Sequence, residues 1–99
     1  MLNHVVLVGR IYSPINLEVN GDYTVVLKVP KGVKKSKSDY DSDYIDITLT
    51  DSIAQNMRDY CKEGDVVGVK GHLRKNENDL HMTVEAEKIT FLSRTKGGD

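Results

Sequence analysis

One stretch of this chain, residues 52–60, carries a helical repeat, and segments that alternate with period two enclose it on both sides. Ile53, Met57 and Tyr60 fall at i, i+4 and i+7, which makes one apolar stripe of a helix. Ser52-Ile53-Ala54-Gln55 fits a capping box, with Ser52 as N-cap and Gln55 at N3. Lys62 lies in the last turn, and Gly64 suits the C′ position. Just before the helix, residues 43–50 put Ile45, Ile47 and Leu49 on one face. Tyr44, Asp46, Thr48 and Thr50 fall on the other, the pattern of a half-buried strand.

The remaining strands follow from β-branched runs and turn dipeptides. Residues 3–11 read as a strand bounded by Ser13-Pro14, and Gly9 inside it predicts a bulge or a sharp bend. A short strand at 15–19 meets Asn20-Gly21, a strong hairpin signal, and residues 22–29 return until Pro30 stops them. Residues 30–42 carry no period and read as a long loop, basic first and acidic after. Beyond the helix come strands at 65–75 and 80–92, joined by a turn at 75–79, with an irregularity expected near Lys88. Val67, Val69 and Leu73 share one face of the first of these. Counting the long strands, the order is three strands, one helix, two strands. A five-stranded Greek-key barrel with a helix between strands 3 and 4, the OB-fold, satisfies it. A β-sandwich needs about seven strands, more than the chain supplies. The fold class is therefore all-β with one helix. One domain is expected over residues 1–92, followed by a short flexible tail at 93–99.

Charge and cysteine content narrow the function. Fourteen basic against fifteen acidic residues leave a net charge of −1, so binding through a global basic field is excluded. Cys61 is the one cysteine, so no intrachain disulfide forms, and a cytoplasmic protein fits best. No apolar run reaches the roughly 18 residues of a membrane span, and no signal peptide opens the chain. His4, His72 and His81 lack metal-ligand spacing, and no nucleophile–base pair, paired-carboxylate site or P-loop is visible. An enzyme is not expected, nor is a cofactor or a metal.

A family resemblance rests on three segments. Residues 3–10, Asn-His-Val-Val-Leu-Val-Gly-Arg, resemble the opening strand of bacterial single-stranded-DNA-binding proteins. Residues 60–74, from Tyr60 through Lys62-Glu63-Gly64-Asp65 to Arg74, are similar to that family's helix end and following strand, and Val84 to Leu92 to its final strand. The resemblance implies an OB-fold that binds single-stranded DNA without reading sequence. It also implies a homo-oligomer, a tetramer rather than a dimer, whose first strand helps pair the subunits. Roles in DNA replication, recombination or repair go with it. In length, and in lacking an acidic C-terminal tail, the chain also resembles a compact primosomal replication protein of the same superfamily. Where the family places an aromatic at the start of the third long strand, this chain has Tyr44. Its other stacking positions correspond to Thr50 and to about Asn78 and Val33.

Single-strand binding needs cations for phosphates and π-faces for bases. Lys70, His72 and Arg74 alternate with Val69, Gly71 and Leu73, which puts three polar groups on one strand face. Lys28 precedes the loop, the loop adds Lys31, Lys34, Lys35 and Lys37, and Lys75 follows Arg74. Arg10 shares a face of the first strand with His4. Tyr44 is the first stacking candidate because it lies on a polar face, and Tyr40 is the second. Tyr12 stands outside the set, and Tyr23 and Tyr60 are assigned to the core. The expected nucleic-acid-binding set is thus Arg10, Lys28, Lys31, Lys34, Lys35, Lys37, Tyr40, Tyr44, Lys70, His72, Arg74 and Lys75, lining one groove. Release of counterions from roughly three to five cations predicts a salt slope of about −2 to −3.5. The competing expectation is an accessory module whose groove mainly holds a replication or primosome protein. The lysine loop has a bland reading too, as a self-neutralising segment in which Asp39, Asp41 and Asp43 pair with the lysines.

Overall fold

A computed structural model describes residues 1–34, 40–75 and 81–93. Within them the chain forms β1 (Val5–Ile11), β2 (Asn16–Leu17), β3 (Tyr23–Lys34), β4 (Tyr40–Leu49), α1 (Asp51–Tyr60), β5 (Val66–Lys75) and β6 (Met82–Ser93). The strands lie in the order β1-β5-β6-β4-β3-β2, and a second pairing of β1 with β3 closes the sheet into a barrel. Closure is short on both seams. β1 meets β3 through Arg10↔Lys28 and Ile11↔Leu27, and β4 runs parallel to β6 through Ile47↔Val84 and Thr48↔Glu85. This is the five-stranded OB barrel with an added two-residue strand, and α1 sits between β4 and β5.

The core forms where the alternating faces converge. Ile11, Val25, Leu27, Ile47, Leu49, Val67, Val69, Val84 and Ala86 point inward, and Ala54 and Met57 of α1 close one end. Gly9 stands where β1 crosses β3: a Cβ there would lie 2.5 Å from the Lys28 carbonyl oxygen. The predicted bend is thus a close backbone approach that only glycine permits. Gly71 has the same role on β5, since its Cβ would collide with the Glu85 carbonyl. The register of β5 on β6 shifts between Lys70 and Gly71. Lys88 faces Lys70 and Ala86 faces Gly71, so Glu87 is the extra residue of a bulge. This is the irregularity expected near Lys88.

Several local expectations are corrected. Thr50, not Ser52, caps α1: its backbone is extended and its hydroxyl accepts from the Ile53 amide at 3.3 Å, the N3 position. The residue that directly follows β4 thereby becomes the helix's first side-chain acceptor. The helix ends at Tyr60 with Cys61 as C-cap, so Lys62 lies past it. Gly64, at φ 92°, instead serves the turn into β5. There the buried Asp65 accepts from the Lys62 amide at 3.0 Å, and its own carbonyl accepts from Ile11. Tyr60 is 58% exposed and lies against Phe91 with ring centroids 6.4 Å apart, outside the core. Leu73 is likewise exposed, although it pairs with the buried Val84 of β6.

Pro30 does not stop its strand. β3 runs on to Lys34 and β4 begins at Tyr40, so most of the expected loop is a hairpin arm with Pro30 opposite Ser42. Beyond Lys28, β3 has lost its contact with β1, and an edge strand accommodates proline. The first strand starts at Val5. Asn3 extends its reach by side chain, donating to the Leu73 carbonyl and accepting from the Leu73 amide at 2.9 Å each. The turn at 75–79 and the tail at 93–99 fall almost wholly outside the described residues.

Candidate nucleic-acid interface

The alternation that buries Val25, Leu27 and Ile47 sends Thr24, Val26 and Lys28 of β3 outward, with Thr48, Asp46 and Tyr44 of β4 directly opposite them. Lys28 and Tyr44 are therefore cross-strand neighbours on one outer face. Tyr44 is 54% exposed, and a second ring meets it: Tyr12, from the connection after β1, lies edge-to-face with centroids 4.7 Å apart and an interplanar angle of 62°. The Tyr12 amide donates to the Val26 carbonyl at 2.8 Å, which holds this residue over β3.

Along the same face, toward the other end of the barrel, lies an open cleft of about 510 Å³. Its floor is Thr24, Val26, Asp46 and Thr48, and its charged walls are Glu18, Asp22, Glu85, Arg74 and Lys75. Four carboxylates thus face two cations. Arg74 and Lys75 are the members of the expected set that line this cleft. Arg74 is engaged there, donating to Glu85 at 2.6 Å.

The basic stripe on β5 is real in placement and altered in charge. Lys70, His72 and Arg74 do share the outer face of the strand. His72 Nδ1 lies 2.9 Å from Glu87 and Nε2 lies 3.9 Å from Glu85. The bulge makes the first contact by adding Glu87 to the outer surface beside His72. The His72 hydrogen bond, with the charges of His72, Lys70 and His4 behind it, holds the Glu87 carboxyl below its ordinary range. Two carboxylates that no local motif announces therefore partly neutralise this stripe.

The other expected cations are dispersed. Lys31 bridges Asp41 and Asp43 at 3.5 Å each, and these aspartates, Asp41 first, hold its ammonium above the ordinary lysine range. These contacts are the pairing that the self-neutralising reading of the loop expects. Arg10 donates to the Gly64 carbonyl at 2.8 Å and so staples β1 to the turn before β5. The backbones of Lys34 and Tyr40 form the last described pair of the hairpin. Lys35 and Lys37 lie outside the described residues. Among the described residues, Lys31 stands on the hairpin, Arg74 and Lys75 on the cleft wall, and Lys70 and His72 on the outer face of β5. Glu85, Glu87 and Tyr12 are additions from the tertiary structure. Tyr12 had one local signal, its place directly after the inward-facing Ile11.

Comparison with known proteins bears on this surface. Residues 2–92 match the model of the single-strand binding protein family. The chain belongs to that family. It is 30% identical to single-stranded DNA-binding protein B of Bacillus subtilis over the full length of both chains. It is also 30% identical over 86 residues to the single-stranded DNA-binding protein of Streptococcus pneumoniae, where the match covers 80% of this chain and 53% of that protein. The chain thus spans about half the length of some of the family members it matches and all of another. Among solved structures it resembles the dimeric N-terminal domain of PriB from Thermoanaerobacter tencongensis. That similarity has a TM-score of 0.70 at 27% identity, over 93% of this chain and 98% of the other. The family's OB barrel is the fold found here.

Proposed function

We infer that this protein binds single-stranded DNA without reading sequence, using the outer face of β3 and β4. The observation that carries this reading is Lys28 set directly across from the half-exposed Tyr44. Together they offer a phosphate contact and a base platform within one nucleotide's reach, and neither contact distinguishes one base from another. Membership in the single-strand binding protein family supports it. Lys70, Arg74 and Lys75 complete the path along the cleft wall and the β5 face. Lys34, Lys35, Lys37 and Tyr40 belong to the same proposed set. The role is one of binding and not of catalysis, in the cytoplasm, on intermediates of replication, recombination or repair.

The protein works as a homo-oligomer, a tetramer rather than a dimer. Val6, 74% exposed, and Val8 stand on the outer face of β1, apolar area that a second subunit would cover. Linked subunits raise the effective DNA concentration at each weak site. Sedimentation showing a monomer at about tens of micromolar would overturn this part, since stable homo-oligomers persist far below that concentration.

The test of DNA binding is a fluorescence-anisotropy titration of labelled oligo(dT) of about 35 nucleotides, long enough for several OB sites, with a duplex control. Salt-sensitive binding that the duplex does not match supports the reading. No binding at low salt overturns it. The four carboxylates around the cleft favour one second reading in that event. A cleft of that sign accepts a basic segment of a replication or primosome protein more readily than phosphates.

A further inference from the structure

Tyr12 has no part in the reading above, and its position gives it one. It follows Ile11, whose side chain is buried at the barrel closure, so the next residue is thrown to the outer face. Its ring does not enter the core: Tyr12 is 55% exposed, almost the same as Tyr44. The two rings arrive from separate elements and meet at 4.7 Å, the close end of the range for aromatic pairs. At 62° one ring presents its edge to the other, and both residues stay more than half exposed. Lys28 stands across from Tyr44, at the margin of the pair.

From this geometry we propose that Tyr12 and Tyr44 form one composite platform for a single nucleobase, with Tyr12 touching the base and not merely propping its neighbour. The proposal rests on the single-strand-binding reading and deepens it. The centres are 4.7 Å apart and the planes 62° apart, so a base stacked flat on one ring meets the other at an angle, as the second wall of one corner. The pair therefore acts as one subsite, with Lys28 placed for the adjoining phosphate. The chain has no tryptophan, so tyrosine and its one phenylalanine are the rings it can offer to a base.

Oligo(dT) affinity of Tyr12→Phe, Tyr12→Leu, Tyr44→Leu and the double leucine variant, each checked for an unchanged melting temperature, tests the proposal. Tyr12→Phe keeps the ring and binds like the wild type. Tyr12→Leu keeps apolar bulk against Tyr44 but removes the π-face, and weakens binding by about 5- to 150-fold, the range for one stacked base. The double variant loses little beyond either single change, because one base is involved. Wild-type affinity in Tyr12→Leu would reduce Tyr12 to a prop and overturn the proposal. Fully additive losses would overturn the single subsite by showing two separate bases. Failure of the unaltered protein to bind oligo(dT) overturns the underlying reading and this proposal together, an outcome distinct from both.

Discussion

Arg74 on β5 donates to Glu85 on β6 at 2.6 Å, and the same carboxylate lies 3.9 Å from His72. A side chain expected to serve phosphates is thus already engaged by an internal anion at the rim of the cleft. An exposed ion pair of this kind adds little stability, so its main effect is on what the surface attracts.

Glu85→Gln is expected to tighten oligo(dT) binding and leave the fold intact. The substitution removes one negative charge from the cleft beside Arg74 and Lys75. If Arg74 then reaches a phosphate, log K against log salt steepens by about 0.7. Anisotropy at several salt concentrations checks both effects.

The wild-type slope has a part that the unpaired lysines set. Lys28, Lys70 and Lys75 make no ion pair among the described residues, whereas Lys31, His72 and Arg74 do. These three lysines by themselves contribute about −1.4 to −2.1 to the slope per subunit. Lys28→Ala reduces its magnitude by about 0.7 and weakens binding alike for all base compositions.

Gly9→Ala is expected to destabilise the barrel by about 1–3 kcal/mol, because its Cβ meets backbone that cannot move aside. Each kcal/mol lowers the melting temperature by about 4–8 °C for a domain of this size. Gly68→Ala is the control. Its Cβ would find neighbours no nearer than 3.7 Å, so the steric cost is absent.

Thr50→Ala should cost about 0.5–2 kcal/mol through loss of the helix cap, and Ser52→Ala markedly less. Thermal melts of the two variants distinguish the observed cap from the capping box legible in the sequence.

Glu87 sets a pH dependence of known sign. Its folded-state acidity is strengthened chiefly by the His72 hydrogen bond, so its contribution to stability is present above the ordinary glutamate value. That contribution is lost as pH falls through the lower folded-state value. NMR titration of the Glu87 carboxyl follows this directly, and His72→Ala should move its midpoint upward.

The sequence by itself determined the order of elements and their inward faces. Period-two alternation at Ile45, Ile47 and Leu49, and the Asn20-Gly21 turn with Gly21 at φ 93°, are properties of short windows, and short windows are legible. The same locality misplaced the cap, because Ser52 and Thr50 both carry a hydroxyl and only the backbone turn chooses between them. It also ended β3 too early, since whether proline stops a strand depends on which neighbour that strand still has at Pro30. It placed Tyr44 on a polar face and Lys28 before the loop, but not the two across from each other. Only the tertiary structure decided the partners: Tyr12 on Tyr44, Glu85 on Arg74, and Glu87 on His72. Each joins residues distant in the chain, and each depends on cross-strand register. That register is set where glycine lets backbones approach at Gly9 and Gly71, and where one extra residue bulges out of β6. A one-residue slip there would turn every outward side chain inward.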